Sequence, residues 1–518
     1  MTRRLLLLLA CISAIAAAPK TRDSLASRID AITARPEFKH AIFGIEFLSL
    51  DTGAVVFQRN GDTFFTPGST TKLITMGSAL QLLGADYRFH TRIYRSGEID
   101  GTGTLKGDLV LVASGDPDLS GRIRPGDALA FENVDHNYGG TDSHGLEGDP
   151  LGPIRELAGQ VAAKGIKRVD GDVIVDISLY PEGAREGGTG FVISPIMVND
   201  NAVDLTIRPG ASAGAPASID ISPATSYVRF VNHTTTGAAG SEMTVRVASD
   251  VAAGDGRHTV TLSGSVPADA KPTLSGYRVP EPSRFAEIVF SEALHERGIV
   301  AAPRRKEDKP DAEALAKART PERMVAEHVS PPFAEEVKVT LKVSQNLHAS
   351  ATPFLLGAVL AHKGTAAAGF AEIRKFLVTT GADVTGASQS DGAGADAHFT
   401  PRFMTGYLAF MAKQQTAAVF HDALPILGKD GTLWNIQTGS PAAGHVFAKT
   451  GTYATEDLLN DGLMVTGKGL AGYMTTAGGR RLALAIYVNN VDLKDNAQVT
   501  PLVGQALGEI AAAAYDVK

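Results

Sequence analysis

The 518-residue sequence has a single cysteine, Cys11, and a single tryptophan. One cysteine excludes a disulfide framework and any cysteine-based metal site, and Cys11 lies in a segment that export would remove, so thiolate catalysis is excluded as well. The histidines form no HExxH or similar spacing, which points away from a metal enzyme. No metal or cofactor is expected. Basic residues are outnumbered by acidic ones, and a net charge of −7 argues against a nucleic-acid partner. Aromatics are scarce at 6%, whereas apolar residues reach 44% and glycines number 55, a mixture suited to compact α/β packing. Beyond the N-terminus no run is apolar enough to span a bilayer.

What is present begins with an export signal. Arg3 and Arg4 form a charged start, Leu5 to Ile15 an apolar run too short to span a membrane, and Ala14-Ile15-Ala16 a small-x-small cleavage site. Pro19 disfavours cutting after Ala18, so residues 1–17 are read as a signal peptide and the protein as periplasmic. Leu8-Leu9-Ala10-Cys11 loosely resembles a lipoprotein box, but the apolar run continues past Cys11 and favours ordinary export.

The length allows two or three domains. A short amphipathic helix over 23–35 precedes strands over 41–48 and 54–59, and a helix should begin near Pro67-Gly68, with Leu73, Met76, Leu80 and Leu83 at helical spacing. From about Arg88 the texture changes to short alternating segments: strands over 89–95 and 104–112, an aperiodic stretch over 121–150 read as a surface loop, a helix over 154–164 and a strand over 172–177. Short strands then follow over 192–198, 202–208, 219–221, 227–231, 243–248 and 259–265. Residues 283–297 return to helix, and 304–319 are charged and solvated. The last third is again α/β, with helices over 348–362, 366–379, 400–413 and 501–515, a strand over 446–451 ending in Lys449-Thr450-Gly451, and an interior strand over 482–489. The two ends share one character and the middle differs. We therefore expect a catalytic α/β domain (23–88 and 280–518) interrupted by inserted domain II (89–180 and about 260–279) and a β-rich domain III (181–259).

Ser69-x-x-Lys72 sits at the expected helix start, where a three-residue offset puts both side chains on one face. A serine hydroxyl needs a base to attack a carbonyl, and a lysine whose pKa is lowered can serve. Ser and Lys are common enough for such a motif to arise by chance roughly once or twice in a chain this long. Two further signals give it weight: Ser344-x-Asn346 and Lys449-Thr450-Gly451, each occurring once and in this order.

The ordered set resembles that of the penicillin-recognising serine enzymes, which share a serine transpeptidase/β-lactamase-like fold. Within them the chain is similar to the D-alanyl-D-alanine carboxypeptidase/endopeptidase family, the class C low-molecular-mass penicillin-binding proteins of peptidase family S13. The marks are Pro67 to Leu73, Gly115-Asp116-Pro117-Asp118-Leu119, Val198-Asn199-Asp200-Asn201-Ala202-Val203, Ser344 to Leu347, Asp391-Gly392-Ala393-Gly394, Gly431-Thr432-Leu433, Ala448 to Thr452 and Ala471-Gly472-Tyr473. The resemblance implies two domains inserted between the first and second motifs, which the distance from Ser69 to Ser344 matches. It also implies roles: Ser69 as nucleophile, Lys72 as its base, Ser344 as proton relay to the leaving amine helped by Lys449, and Asn346 as a hydrogen-bonding clamp. The backbone N–H groups of Ser69 and Thr452 would form the oxyanion hole, with Thr450, Gly451 and Thr452 binding a terminal carboxylate. Implied partners are peptidoglycan stem peptides and, as acylating inhibitors, β-lactam antibiotics. The departures are Gln345 where aspartate is usual, Ala393 where serine is common, and a long connection over 453–469. Two other readings use the same residues: a related serine hydrolase (β-lactamase-like, esterase or aminopeptidase), and a non-catalytic wall-binding protein, which a missing motif would have favoured.

Overall fold

The computed structural model describes residues 24–308 and 311–517, so the expected signal peptide and Cys11 lie outside the described residues. The catalytic part is built on an antiparallel sheet. Its strands run in the order Val446–Asp457, Gly462–Thr475, Arg481–Asn489, Ile42–Ser49 and Val55–Arg59, with Val491–Leu493 pairing the far end of the second. Both faces of this sheet are covered, which explains why its central strand is a near-continuous apolar run. With side chains alternating between faces, Leu482, Leu484, Ile486 and Val488 enter one core. That core is shared with Ile29 and Ile32 of helix Leu25–Thr33 and with Leu507 and Ile510 of helix Gln505–Tyr515. Ala483, Ala485 and Tyr487 enter the other core, facing helices Thr71–Leu83 and Pro401–Met411. Small residues on that face let the helices approach closely.

Helix Thr71–Leu83 is buried on nearly every side through Leu80, so the expected single apolar stripe is only part of its contact surface. It ends at Gly84, whose φ of 93° a side chain would resist.

The inserted region contains a four-stranded sheet in the order Met324–Val329, His90–Arg95, Leu109–Val112 and Val173–Asp176. Helices Gly152–Ala163 and Pro282–Glu296 pack on it through Ile154, Leu157, Phe285 and Val289. Two three-stranded sheets follow, one of Ser218–Ser222, Ala202–Arg208 and Thr273–Arg278, the other of Val228–Gly237, His258–Pro267 and Arg246–Ala252. Val203, Val260 and Tyr277 of these sheets join the same apolar core as the four-stranded sheet.

Several expected boundaries shift. Residues 280–329 do not belong with the catalytic sheet, because Met324–Val329 pairs with His90–Arg95 and the chain rejoins the catalytic core only at Phe333. The expected division at 259/260 falls inside His258–Pro267, and Thr273–Arg278 pairs with Ala202–Arg208, so 260–279 goes with the smaller β sheets. The expected strand over 104–112 is two strands, Thr104–Leu105 and Leu109–Val112, parted where Gly107 presses on Gly97. The stretch 192–198 makes only isolated bridges at Val192 and Val198, and Pro195, lacking an N–H, interrupts any ladder. The strand bearing Lys449 does not stop at Gly451 but runs to Asp457 in a long hairpin, whose tip holds Leu458 and Leu459 at 87% and 91% exposure.

Candidate active site

The nucleophile candidate is mounted where two backbones touch. Gly68 has a φ of 50°, and a side chain there would bring Cβ within 2.5 Å of the Thr452 nitrogen. Gly451 faces it, with a Cβ that would lie 2.0 Å from the Pro67 oxygen and 2.9 Å from the Ser69 nitrogen. Two glycines thus let the edge strand press against the turn Gly68–Thr70 that opens helix Thr71–Leu83. This approach brings the backbone nitrogens of Ser69 and Thr452 together, as an oxyanion site requires.

One turn along, the fully buried Lys72 donates from Nζ to Ser69 Oγ at 2.8 Å, Asn346 Oδ1 at 2.6 Å, Ser344 Oγ at 3.3 Å and the Ala393 carbonyl at 3.4 Å. Burial lowers its pKa to about 7, against the opposing pull of Glu186 and Asp391. Lys449 Nζ donates to Ser344 Oγ at 2.9 Å and to the Thr450 carbonyl at 2.8 Å. Burial, then the neighbouring Lys72 and Lys468, hold it well below the ordinary lysine range. Thr450 Oγ1 donates to Thr432 Oγ1 at 2.7 Å, which gives the Gly431-Thr432-Leu433 segment its place at the cleft. Ser69, Lys72, Ser344, Asn346, Lys449 and Thr450 are therefore linked through hydrogen bonds, and Thr452 stands exposed at the rim. The cleft bordered by Ser69, Ser344, Asn346, Thr450 and Thr452 measures about 490 Å³.

The Asp391 turn works through its backbone. Asp391 Oδ1 accepts from the N–H groups of Ala393 and Gly394 at 2.7 and 2.6 Å, and this aims the Ala393 carbonyl at Lys72. The side chain at 393 takes no part in that contact, so alanine serves where serine is common.

Ser344 lies between helices Phe333–Lys342 and Asn346–Ala361 with φ at 65°, a left-handed conformation that a non-glycine residue resists. Tyr138 holds it there: its hydroxyl donates to the Ser344 carbonyl at 2.5 Å and lies 3.3 Å from Asn346 Oδ1. Tyr138 comes from the stretch 121–150, so the surface-loop expectation is overturned for this part of it. Asp135 and His136 beside it are buried.

Those two residues belong to an ionic network beneath the cleft. Arg122 sits between Asp135 at 2.6 Å and Asp200 at 2.5 Å, all three buried. Asp200, in a run of three left-handed residues from Asn199 to Asn201, also meets His136 Nε2 at 2.7 Å and His348 Nε2 at 3.1 Å. Gln345 donates from Nε2 to Asp135 at 3.0 Å, while its Oε1 accepts the Leu347 N–H and caps the following helix. The remaining histidine nitrogens meet Asp204 and Glu336.

Asp135, His136 and Asp200, and likewise Asp118, Glu336 and His348, are close enough to hold a metal ion. Without an ion these groups already satisfy one another: both ring nitrogens of His136 and of His348 face carboxylates. Burial opposes charge on His136, but Asp204 and Asp200 outweigh it and raise the pKa to about 10, and His348 is likewise raised well above its usual value by Glu336 and Asp200.

Sequence reasoning missed Tyr138, Lys468 and the network. Lys468 stands directly opposite Thr452 across the hairpin. A one-residue bulge between Tyr453 and Thr455 shifts the register, so counting back from the hairpin turn would pair Thr452 with Gly467, and the sequence carries no signal for Lys468.

The sequence model of the D-Ala-D-Ala carboxypeptidase 3 (S13) family matches residues 25–507. A D-alanyl-D-alanine carboxypeptidase from an Actinomadura species is 29% identical over 472 residues, covering 85% of this chain and 79% of that protein. The crystal structure of penicillin binding protein 4 from Haemophilus influenzae superposes with a TM-score of 0.70 at 20% identity, covering 94% of this chain and 99% of that one. Its complex with a β-lactam superposes at 0.68. These structural likenesses show a shared fold.

Proposed function

The chain belongs to the D-Ala-D-Ala carboxypeptidase 3 (S13) family and is a serine-type peptidase of that family, and from this premise we propose the part that each cleft residue plays in cleaving peptidoglycan stem peptides. The observation that carries the assignment is the position of Lys72: buried, with Nζ 2.8 Å from Ser69 Oγ and a pKa near neutrality.

Lys72 in its neutral form accepts the Ser69 proton as Oγ attacks the carbonyl of the penultimate D-alanine. The tetrahedral oxyanion is held by the N–H groups of Ser69 and Thr452. As the C–N bond breaks, Ser344, in contact with both Lys72 and Lys449, passes a proton to the leaving amine, and an ester to Ser69 remains. Water then enters, giving its proton back through the same groups, and hydrolysis of the ester frees Ser69. Asn346 holds Lys72 and, in its other role, the substrate amide. Thr450, Gly451 and Thr452 line the approach of the substrate's terminal carboxylate.

A β-lactam offers the same reactive amide in a ring, so its amine stays tethered to the acyl-enzyme and hydrolysis is slow. The Haemophilus influenzae protein is known in complex with a β-lactam, which supports β-lactam binding here. The substrate lies in the cell wall, and the N-terminal segment over 1–17 supports export to the periplasm. The test is incubation with purified muropeptides followed by mass analysis: loss of terminal D-alanine or conversion of cross-linked dimers to monomers is expected. Ser69→Ala should abolish both, together with covalent labelling by fluorescent penicillin. Persistent labelling of that variant would remove Ser69 from the reaction.

A further inference from the structure

The resemblance places the substrate's carboxylate at Thr450, Gly451 and Thr452, next to Lys449, yet the Lys449 Nζ is already committed to Ser344 Oγ and the Thr450 carbonyl. A third lysine is better placed. Lys468 lies on strand Gly462–Thr475, paired in register with Thr452, so the two side chains share one face of the hairpin. Its Nζ donates to Thr452 Oγ1 at 2.6 Å. The residue is 8% exposed and borders the cleft together with Ser69, Thr450 and Thr452.

Among the described residues neither Lys449 nor Lys468 has a carboxylate partner, but Lys449 donates to Ser344 Oγ and the Thr450 carbonyl, whereas Lys468 alone of the two lines the cleft. The buried Lys342 is paired with Asp430 at 2.7 Å, and Lys72 feels Glu186 and Asp391. Among the described residues no carboxylate pairs with Lys468. An ammonium has three N–H donors, and Thr452 Oγ1 takes one. Burying an unpaired cation is costly, and the cost is recovered only when an anion enters. The cleft is the open direction, and Thr450 and Thr452 hydroxyls flank it.

On the reading of Ser69 as the nucleophile of a D-Ala-D-Ala peptidase, we propose that Lys468 is the cation that binds the terminal carboxylate of the leaving D-amino acid. Lys468 and Thr452 together present a positive donor and a hydroxyl to the two carboxylate oxygens, while Lys449 is left to serve Ser344. Lys468 is thus a specificity residue for substrates that end in a free carboxylate.

The test compares a stem peptide ending in D-Ala-D-Ala with the same peptide as its C-terminal amide. Wild-type enzyme should prefer the free acid. Lys468→Gln should lower kcat/KM for the acid by roughly 10- to 100-fold, the span expected for one charge-assisted hydrogen bond, and leave the amide within about threefold. Lys468→Arg should recover part of the preference. Saturating fluorescent penicillin gives the fraction of competent enzyme in each preparation, so a folding defect is separated from a lost contact. Equal losses on acid and amide with Ser69 still labelled would overturn the role of Lys468 and leave the nucleophile standing. A wild type indifferent to the carboxylate would overturn it without recourse to any variant. Labelling that survives Ser69→Ala would instead overturn the underlying reading.

Discussion

Lys72 is the residue on which the rate should turn. Its pKa is lowered to about 7 by burial, and only the neutral amine can take the Ser69 proton. Acylation by a β-lactam should therefore rise about tenfold per pH unit below about 7 and level off above it. Stopped-flow acylation between pH 5 and 9 checks this, and a flat profile would require a different base. Gln345 is a second informative residue. The motif reading treats it as a spacer, and indeed it contacts none of Ser69, Lys72 or Lys449. Its amide instead donates to Asp135, with Asp200 close by at 3.5 Å. Gln345→Asp would set a third carboxylate against two buried ones. A loss of roughly 2–4 kcal/mol in unfolding free energy is expected from denaturant titration, with Gln345→Asn losing less. The sequence exposes the catalytic side chains because their spacing reflects chemistry. It hides the role of Gln345, because that role depends on Asp135 and Asp200, which no local pattern connects to it.

Among elements, the segment from Asp135 to Tyr138 contributes most that was not legible. It is a single turn capped by Asp135, whose side chain accepts the Asn137 N–H, and one turn has no periodicity to read. Helices such as Ala366–Thr379 were legible to the residue, since their apolar stripe repeats over several turns. The edge strand was half legible: Val446 to Ala448 is an apolar run leading into Lys449-Thr450-Gly451, whereas Thr452 to Asp457 is mostly polar and pairs with Gly462–Thr475 through its backbone. Tyr138→Phe removes the hydroxyl that holds Ser344 in its left-handed conformation and should reduce kcat about tenfold, in line with one lost hydrogen bond. The melting temperature should barely move, because the ring stays in place. An unchanged kcat would show that the helix ends on either side hold Ser344 unaided.

At the scale of the whole molecule, two sheet systems meet through charge and through small apolar clusters such as Phe191 and Met197 against Leu347 and Ala351. The catalytic sheet and the inserted sheets keep separate apolar cores, and the ionic network of Arg122, Asp135, His136, Asp200 and His348 spans the inserted and catalytic parts. The alternation of texture along the sequence revealed that an insertion exists. Its limits escaped because strand Met324–Val329 returns to His90–Arg95 across more than two hundred residues, and such pairing leaves no local mark. The network has a pH signature. The pKa of His136 is raised in the folded state to about 10 from an ordinary 6.5, so the stability it contributes is full below about 6.5 and is lost as pH rises toward 10. Thermal unfolding should show the wild-type midpoint falling over that window, with His136→Gln starting lower and sloping less.

The same network bears on how such a protein can change over generations. Every residue of strand Arg246–Ala252 is exposed, so lineages could shorten, lengthen or exchange that outer edge at little cost. Tyr138, Asp135 and Arg122 are different, for they hold Ser344 and Gln345 from outside the catalytic sheet. An ancestor could acquire the insertion as a passenger. Once its turn carried the tyrosine that steadies the proton relay, the insertion could no longer be lost in one step, and the two parts would have been inherited thereafter as one.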